Sequence, residues 1–192
     1  NVADQLSIAL FANRAFLVEG PTESSVFYGI GDRTSQGSLE AAGVSIVPVG
    51  SKTSIPLAHA ILTAIGVPTY ALFDADAGFE ARAKAEKKKQ ADIDKKRNNH
   101  ATENRKLLRY FGIPEEDFPK ARVLNEVAIF EDHLESLLSE KWPEWVAACK
   151  EIEVVAGINL AKNQLTYRTA TLKAAGAVPE ILQNILVKAE GK

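Results

Sequence analysis

Short apolar runs alternate along the chain with segments of helical spacing, and two of the runs end in carboxylates. Ala15–Val18 leads directly into Glu19-Gly20-Pro21-Thr22-Glu23, and Thr69–Phe73 leads into Asp74-Ala75-Asp76-Ala77-Gly78. A continuous apolar run bounded by turn residues, without the polar alternation of a half-exposed strand, predicts a strand buried on both faces, as in a parallel sheet. Val44–Val49, closed by Gly50, is a third such run. Between them, Val26, Phe27 and Ile30 predict a helix from Glu23 to about Ile30, with Thr22 in a position to cap it. Gly29 to Gly37 reads as a turn-rich stretch, and Leu39–Ala42 as the end of a helix. Pro56–Ile65 predicts another helix, stopped by Gly66 and Pro68. A short helix within Asn1–Asn13 precedes the first strand. Strand, helix, strand, helix, strand in this order implies βαβ units and a parallel sheet with right-handed crossovers.

The pattern changes at Phe79. From there to Tyr110 the chain is highly charged and helix-prone, with few large apolar residues before Leu107. This stretch predicts a solvated helix or helical hairpin, or an arm whose Lys87, Lys88, Lys89, Lys95, Lys96 and Arg97 reach phosphates. Arg122–Phe130 reads as a fourth strand, interrupted by the polar Asn125 and Glu126. Glu131–Leu138 begins a helix with acids in its first turn, where the helix dipole favours them. Lys141–Ala156, Asn163–Ala175 and Pro179–Ala189 read as closing helices.

Composition narrows the possibilities. The 192 residues suffice for one domain with a helical appendage, and an apolar fraction of 46% supplies a packed core. A net charge of −2 gives no global field for a polyanion, so nucleic acid would have to be held by a local basic patch or by bound metal. The single cysteine, Cys149, excludes an internal disulfide and any Cys-based metal cluster. No apolar run approaches the roughly 20 residues that span a bilayer, and a cytoplasmic location is expected. Methionine is absent, including an initiator, so the chain is expected to be a segment of a longer protein.

Residues at the carboxyl ends of parallel strands gather at one edge of an open α/β sheet. Glu19, Glu23, Asp74 and Asp76 should therefore converge there. Four carboxylates so close repel strongly unless protons or cations intervene, and oxygen ligands favour Mg²⁺ or Mn²⁺. Two such ions would activate water and stabilise both oxygens of a phosphodiester displacement, with Lys173 or Lys52 neutralising the remaining charge. Gly50-Ser51-Lys52-Thr53 lacks the spacing of a nucleotide-binding loop and reads as a turn near the site.

A strand ending in Glu-Gly followed, one βα unit later, by a strand ending in Asp-x-Asp resembles the Toprim fold of topoisomerases, primases and several nucleases. LVEGPTE, with VPVGSKTS after it, resembles in particular the OLD (overcoming lysogenization defect) family. The resemblance runs from about Arg14 to Gly78 and extends loosely to Ile129–Glu135. It implies an α/β, Rossmann-like, mainly parallel sheet flanked by helices: a Toprim core begun by residues 1–78 and completed by 113–140, a charged helical insertion at 79–112, and C-terminal helices over 141–192. It implies a metal-dependent DNA endonuclease or nickase, with two Mg²⁺ or Mn²⁺ ions per site. An N-terminal ABC-type ATPase is expected in the full-length chain, with dimerisation through that domain. Glu19, Asp74 and Asp76 match the metal-binding acids and Glu23 the additional acid. Glu131, Asp132 and Glu135 are candidates to complete the site, and Lys173 is the candidate catalytic lysine. A primase- or topoisomerase-type phosphoryl transferase and a non-catalytic Mg²⁺-binding module are the alternatives.

Overall fold

The computed structural model describes residues 2–157, 159 and 162–192. Its centre is a five-stranded sheet built from β1 (Arg14–Val18), β2 (Val44–Pro48), β3 (Thr69–Asp74), β4 (Arg122–Val123) and β5 (Val127–Phe130), in the order β2-β1-β3-β5-β4. The first four neighbours in that order run parallel, and β4 returns antiparallel on β5. In β1 the alternation of the pleat sends Phe16 and Val18 to one face and Ala15 and Leu17 to the other, and both faces are buried. Continuous apolar runs therefore become strands rather than helix interiors.

One face is covered by α1 (Val2–Ala9), α4 (Ile55–Ala64) and the C-terminal half of α6 (Gln90–Tyr110), which contribute Leu6, Leu62, Leu107 and Leu108. The other is covered by α2 (Pro21–Thr34), α3 (Ser38–Ala41), α7 (Leu134–Lys141), α8 (Pro143–Ala156), α9 (Gln164–Lys173) and α10 (Glu180–Glu190). There Trp142 and Trp145 are packing residues. Each places its indole N–H on a protein acceptor at 2.8 Å, the Ala175 carbonyl and the Thr171 hydroxyl respectively. A short α5 (Phe79–Ala85) and the first half of α6 make a charged hairpin around a small core of Phe79, Ala83 and Ile93.

The structure departs from the sequence pattern in two places. Gly29 and Gly31 do not break α2, which runs on to Thr34. Their missing side chains let neighbours approach: a Cβ on Gly29 would lie 2.6 Å from Thr171 Cβ and 2.8 Å from the Arg168 carbonyl, both on α9. Arg122–Phe130 is two strands, not one. Asn125 and Glu126 sit in the tight connection between β4 and β5, where Leu124 N–H bonds the Val127 carbonyl at 2.9 Å.

The free edge of β2 carries few open donors. Val49 N–H points to β1, bonding the Val18 carbonyl at 2.9 Å, so by alternation the N–H of Ile46 faces outward. It donates to the Tyr28 hydroxyl at 3.1 Å, and the next outward position, Pro48, has no N–H.

Because α2 and α9 touch through Gly29, Gly29→Ala should destabilise the fold by about 1–2 kcal/mol, although Ala in a helix interior normally gains about 1 kcal/mol over Gly. A urea midpoint raised by this substitution would show that α2 and α9 are not in the close contact described.

Candidate metal-binding site at the carboxyl edge of the sheet

Strand order sets the site. Because β1 and β3 are neighbours, Glu19 at the end of β1 and Asp74 at the end of β3 lie side by side: Glu19 Oε1 accepts the backbone N–H of Asp74 at 2.8 Å. Glu23 stands in the first turn of α2, only 7% exposed, and its Oε2 accepts the N–H of Gly20 at 3.0 Å and the Thr22 hydroxyl at 3.2 Å. Gly20, not Thr22, is the N-cap residue, with Pro21 as the first residue of the helix.

The electrostatics show which acids are neighbours. Burial pushes the Glu19 carboxyl up to about 7, against the Asp74 N–H bond and the Lys52 charge, which pull it down. Burial also raises Asp74 well above the usual carboxylate range, and the charges of Glu19, Glu23, Asp76 and Glu135 push it further. Glu23 is raised by burial and by Glu135. Glu19, Glu23, Asp76 and Glu135 all bear on Asp74, and Asp76 is the member whose own charge is compensated. Burial would raise it, but His100 and Lys52 outweigh that and hold it at about 2. Its backbone is left-handed, with φ of 57°.

Lys52 heads a 3₁₀ turn over Lys52–Ser54 and is 4% exposed. Its ammonium donates to the Asp74 carbonyl at 2.9 Å, to Asp76 Oδ2 at 2.6 Å and to Asn104 Oδ1 at 3.2 Å. His100 Nδ1 lies 3.0 Å from the same Asp76 oxygen, outside regular hydrogen-bond geometry.

Residues 10–76 match the family model described as "Overcoming lysogenization defect protein-like, TOPRIM domain". This segment is an OLD-like Toprim region. It spans β1 to β3 and contains Glu19, Glu23, Lys52, Asp74 and Asp76. No curated protein and no solved structure matches the chain. The mostly parallel sheet flanked by helices is consistent with the Toprim fold, a metal-binding module of nuclease- and primase-type phosphoryl transfer.

Past the matched segment, the Toprim sheet brings only part of the third acidic stretch to the edge. Glu135, at the start of α7, is the member whose charge reaches Asp74 and Glu23. Glu131 pairs with Lys120 at 2.5 Å. Asp132 pairs with Arg82 and accepts the Gly78 N–H at 3.1 Å and the Ser136 hydroxyl at 2.9 Å. His133 caps α7, its Nδ1 accepting the Ser136 N–H at 2.9 Å.

Lys173 is not brought together with the acids. It ends α9, and that end lies against Arg33, which donates to the carbonyls of Thr171 at 3.0 Å and Ala174 at 2.6 Å. Arg33 and Glu23 occupy opposite ends of α2, roughly 15 Å apart along its axis. Lys87, Lys88, Lys89, Lys95 and Lys96 are exposed on the α5–α6 hairpin. Lys88 pairs with Glu86 at 2.6 Å, Lys96 lies over Phe79, and Arg97 pairs with Glu80 at 3.2 Å and lies over the Phe118 ring. Burial pushes the Cys149 thiol up to about 12, which removes it as a nucleophile at neutral pH.

Among the described residues, no three His, Cys, Asp or Glu side chains are already drawn together tightly enough to hold a metal ion. Glu19 and Glu23 instead lean on protein donors. The donor set nonetheless fits a hard divalent cation: it is all carboxylate oxygen, and Asp74 and Glu19 are destabilised as anions by burial and by neighbouring carboxylates. Glu19, Glu23, Asp74 and Glu135 are the residues that would hold it.

Asn104 went unread in the sequence, and His100, expected from the sequence to be solvated, lies largely buried beside Asp76. The signal was present: in the charged segment, Ala101, Asn104, Leu107 and Leu108 recur at helical spacing, which places a polar amide on the buried face of α6.

A carboxyl whose folded pKa is raised binds a proton in the folded state that the unfolded chain has already released. Stability without divalent ions should therefore fall as pH rises from about 4.5 to about 7, by on the order of 3 kcal/mol from Glu19. Urea unfolding in EDTA across this range measures it. Glu19→Gln should flatten the decline, and an equal decline in that variant would remove Glu19 as its source.

Proposed function

We propose that this chain is a metal-dependent DNA endonuclease or nickase domain, working with two Mg²⁺ or Mn²⁺ ions within a longer ATPase–nuclease. The observation that carries the reading is the destabilisation of Glu19, Glu23 and Asp74, by burial and by neighbouring carboxylates, at the carboxyl edge of an OLD-like Toprim sheet. Buried acids that raise one another cost stability, and a fold keeps such an arrangement for a cation rather than for packing. When bound, the divalent ions supply an activated water and charge stabilisation on the phosphodiester oxygens.

The chain's own residues do the rest. Asp74 and Glu19 present carboxylate oxygens from adjacent strands, and their spacing is fixed by the Asp74 N–H bond to Glu19. Glu23 and Glu135, from the first turns of α2 and α7, close the same group. Asp76, held as an anion by Lys52 and His100, adds negative charge beside it. Lys87, Lys88, Lys95 and Arg97 offer phosphate contacts along the hairpin. Lys95 lies five residues from His100, roughly 8 Å of helix rise, so a strand lying at the acids is within reach of it. A cavity of about 630 Å³ beside Gly78 and Leu137 leaves room for part of a nucleotide next to Glu131 and Asp132. No helix among the described residues is long and apolar enough to cross a membrane.

Supercoiled plasmid incubated with the chain should be nicked or linearised in Mg²⁺ or Mn²⁺ and remain intact in EDTA. Asp74→Asn should lower the rate by more than about 100-fold, beyond the roughly 10–100-fold typical of residues that only support a ligand. Cleavage by Asp74→Asn at the parent rate would refute the assignment.

Replacing Lys87, Lys88, Lys95 and Arg97 by Gln should weaken DNA binding and flatten its dependence on salt concentration. An unchanged salt slope would assign the hairpin to solvent.

A further inference from the structure

We propose that Lys52 and Asn104 are positioning residues that form a buried clamp on the Asp74–Asp76 turn, and that the clamp joins this turn to the charged hairpin. The catalytic consequence rests on the nuclease reading above, whereas the clamp itself rests on geometry.

An ammonium group has three N–H donors and no acceptor. Lys52 uses them on the Asp74 carbonyl, Asp76 Oδ2 and Asn104 Oδ1, so none is left for a phosphate. Asn104 is fully buried, and its amide nitrogen donates to the Ala75 carbonyl at 2.8 Å and to the Asp117 carbonyl at 2.7 Å. With the oxygen facing an ammonium and the nitrogen facing two carbonyls, the orientation of this amide is fixed by chemistry. The two side chains thus hold Asp74, Ala75 and Asp76 in succession. From the other side, Ala75 and Ala77 N–H bond the carbonyls of Phe130 and Glu131 at 2.8 and 3.0 Å.

The turn needs this grip. Asp76 is non-glycine at positive φ, a sparsely populated conformation that persists only where its surroundings over-determine it. Without the clamp, the Asp74–Asp76 turn would be held only by β3 and by the Ala75 and Ala77 N–H bonds. Asn104 and His100 lie on the same helix as Lys95 and Arg97. A nucleic-acid strand drawing on the hairpin therefore draws on the turn that carries two of the acids.

The test uses Lys52→Met and Asn104→Leu, compared with the unaltered chain. In EDTA, hydrogen exchange at the Ala75 and Ala77 amides should speed up at least about 10-fold, while amides in β1 keep their rates, which excludes global unfolding. Mn²⁺ affinity, read by electron paramagnetic resonance, should fall about 10–100-fold. DNA affinity in EDTA should stay within about two-fold of the parent. Where Lys52→Met does not fold, Asn104→Asp carries the test: it keeps an acceptor for Lys52, loses the donor to Ala75, and should speed exchange at Ala75 and Ala77. Unchanged exchange at these two amides in the folded variants overturns the clamp. So does a loss of DNA affinity at constant Mn²⁺ affinity, which would make Lys52 a phosphate contact. A parent chain that binds Mn²⁺ but leaves plasmid intact would sink the nuclease reading and leave the clamp standing on the exchange data.

Discussion

Repulsion among partly buried carboxylates is the constraint to which the rest of this structure answers. Asp74 and Glu19 end neighbouring strands of a sheet whose faces are both covered, so neither acid can retreat into solvent without distorting β1 or β3. The fold meets the repulsion locally, with one N–H for Glu19, two donors for Glu23, and an ammonium with an imidazole beside it for Asp76. These are partial remedies, since Glu19 and Asp74 remain raised. What stays unbalanced is negative charge on oxygen at one edge, which is the chemistry of a divalent-cation site.

A single buried ammonium serves one part of the edge. Lys52 is fixed, buried and fully hydrogen-bonded, and it settles Asp76. Among the described residues the group around Asp74 has no equivalent side chain within it, because Lys173 sits at the far end of α2 and Arg82 is taken by Asp132. The division follows from where the chain places its lysines: Lys52 follows β2 by a few residues and is carried under the β3 turn, whereas Lys173 belongs to a helix that packs on the back of α2.

Most of the sheet was legible because parallel strands buried on both faces write themselves as uninterrupted apolar runs, as in Phe16–Val18 and Ala71–Phe73. The pairing of Glu19 with Asp74 follows once β1 and β3 are neighbours. Other features depend on contacts that no local pattern encodes. Gly29 reads as a breaker until α9 is placed against it. Asn125 and Glu126 read as a flaw in one strand until β4 folds back on β5. Glu131, Asp132 and Glu135 look equivalent in sequence, yet Lys120 and Arg82 draw the first two aside and leave Glu135 at the group. Asn104 was hidden because a charged helix advertises its wet face, and its buried stripe is short.

The outer edge of β2 bears on how this domain keeps company. An exposed strand edge grows by accepting another strand, and each added strand needs a regular series of N–H and C=O groups. Here the series is interrupted twice, by the Tyr28 hydroxyl over Ile46 N–H and by Pro48, which has nothing to donate. At the opposite edge, β4 is only two residues long. The sheet is therefore closed to extension from both sides. Neighbouring domains or further copies of the chain are thus offered helix surfaces rather than a free strand edge.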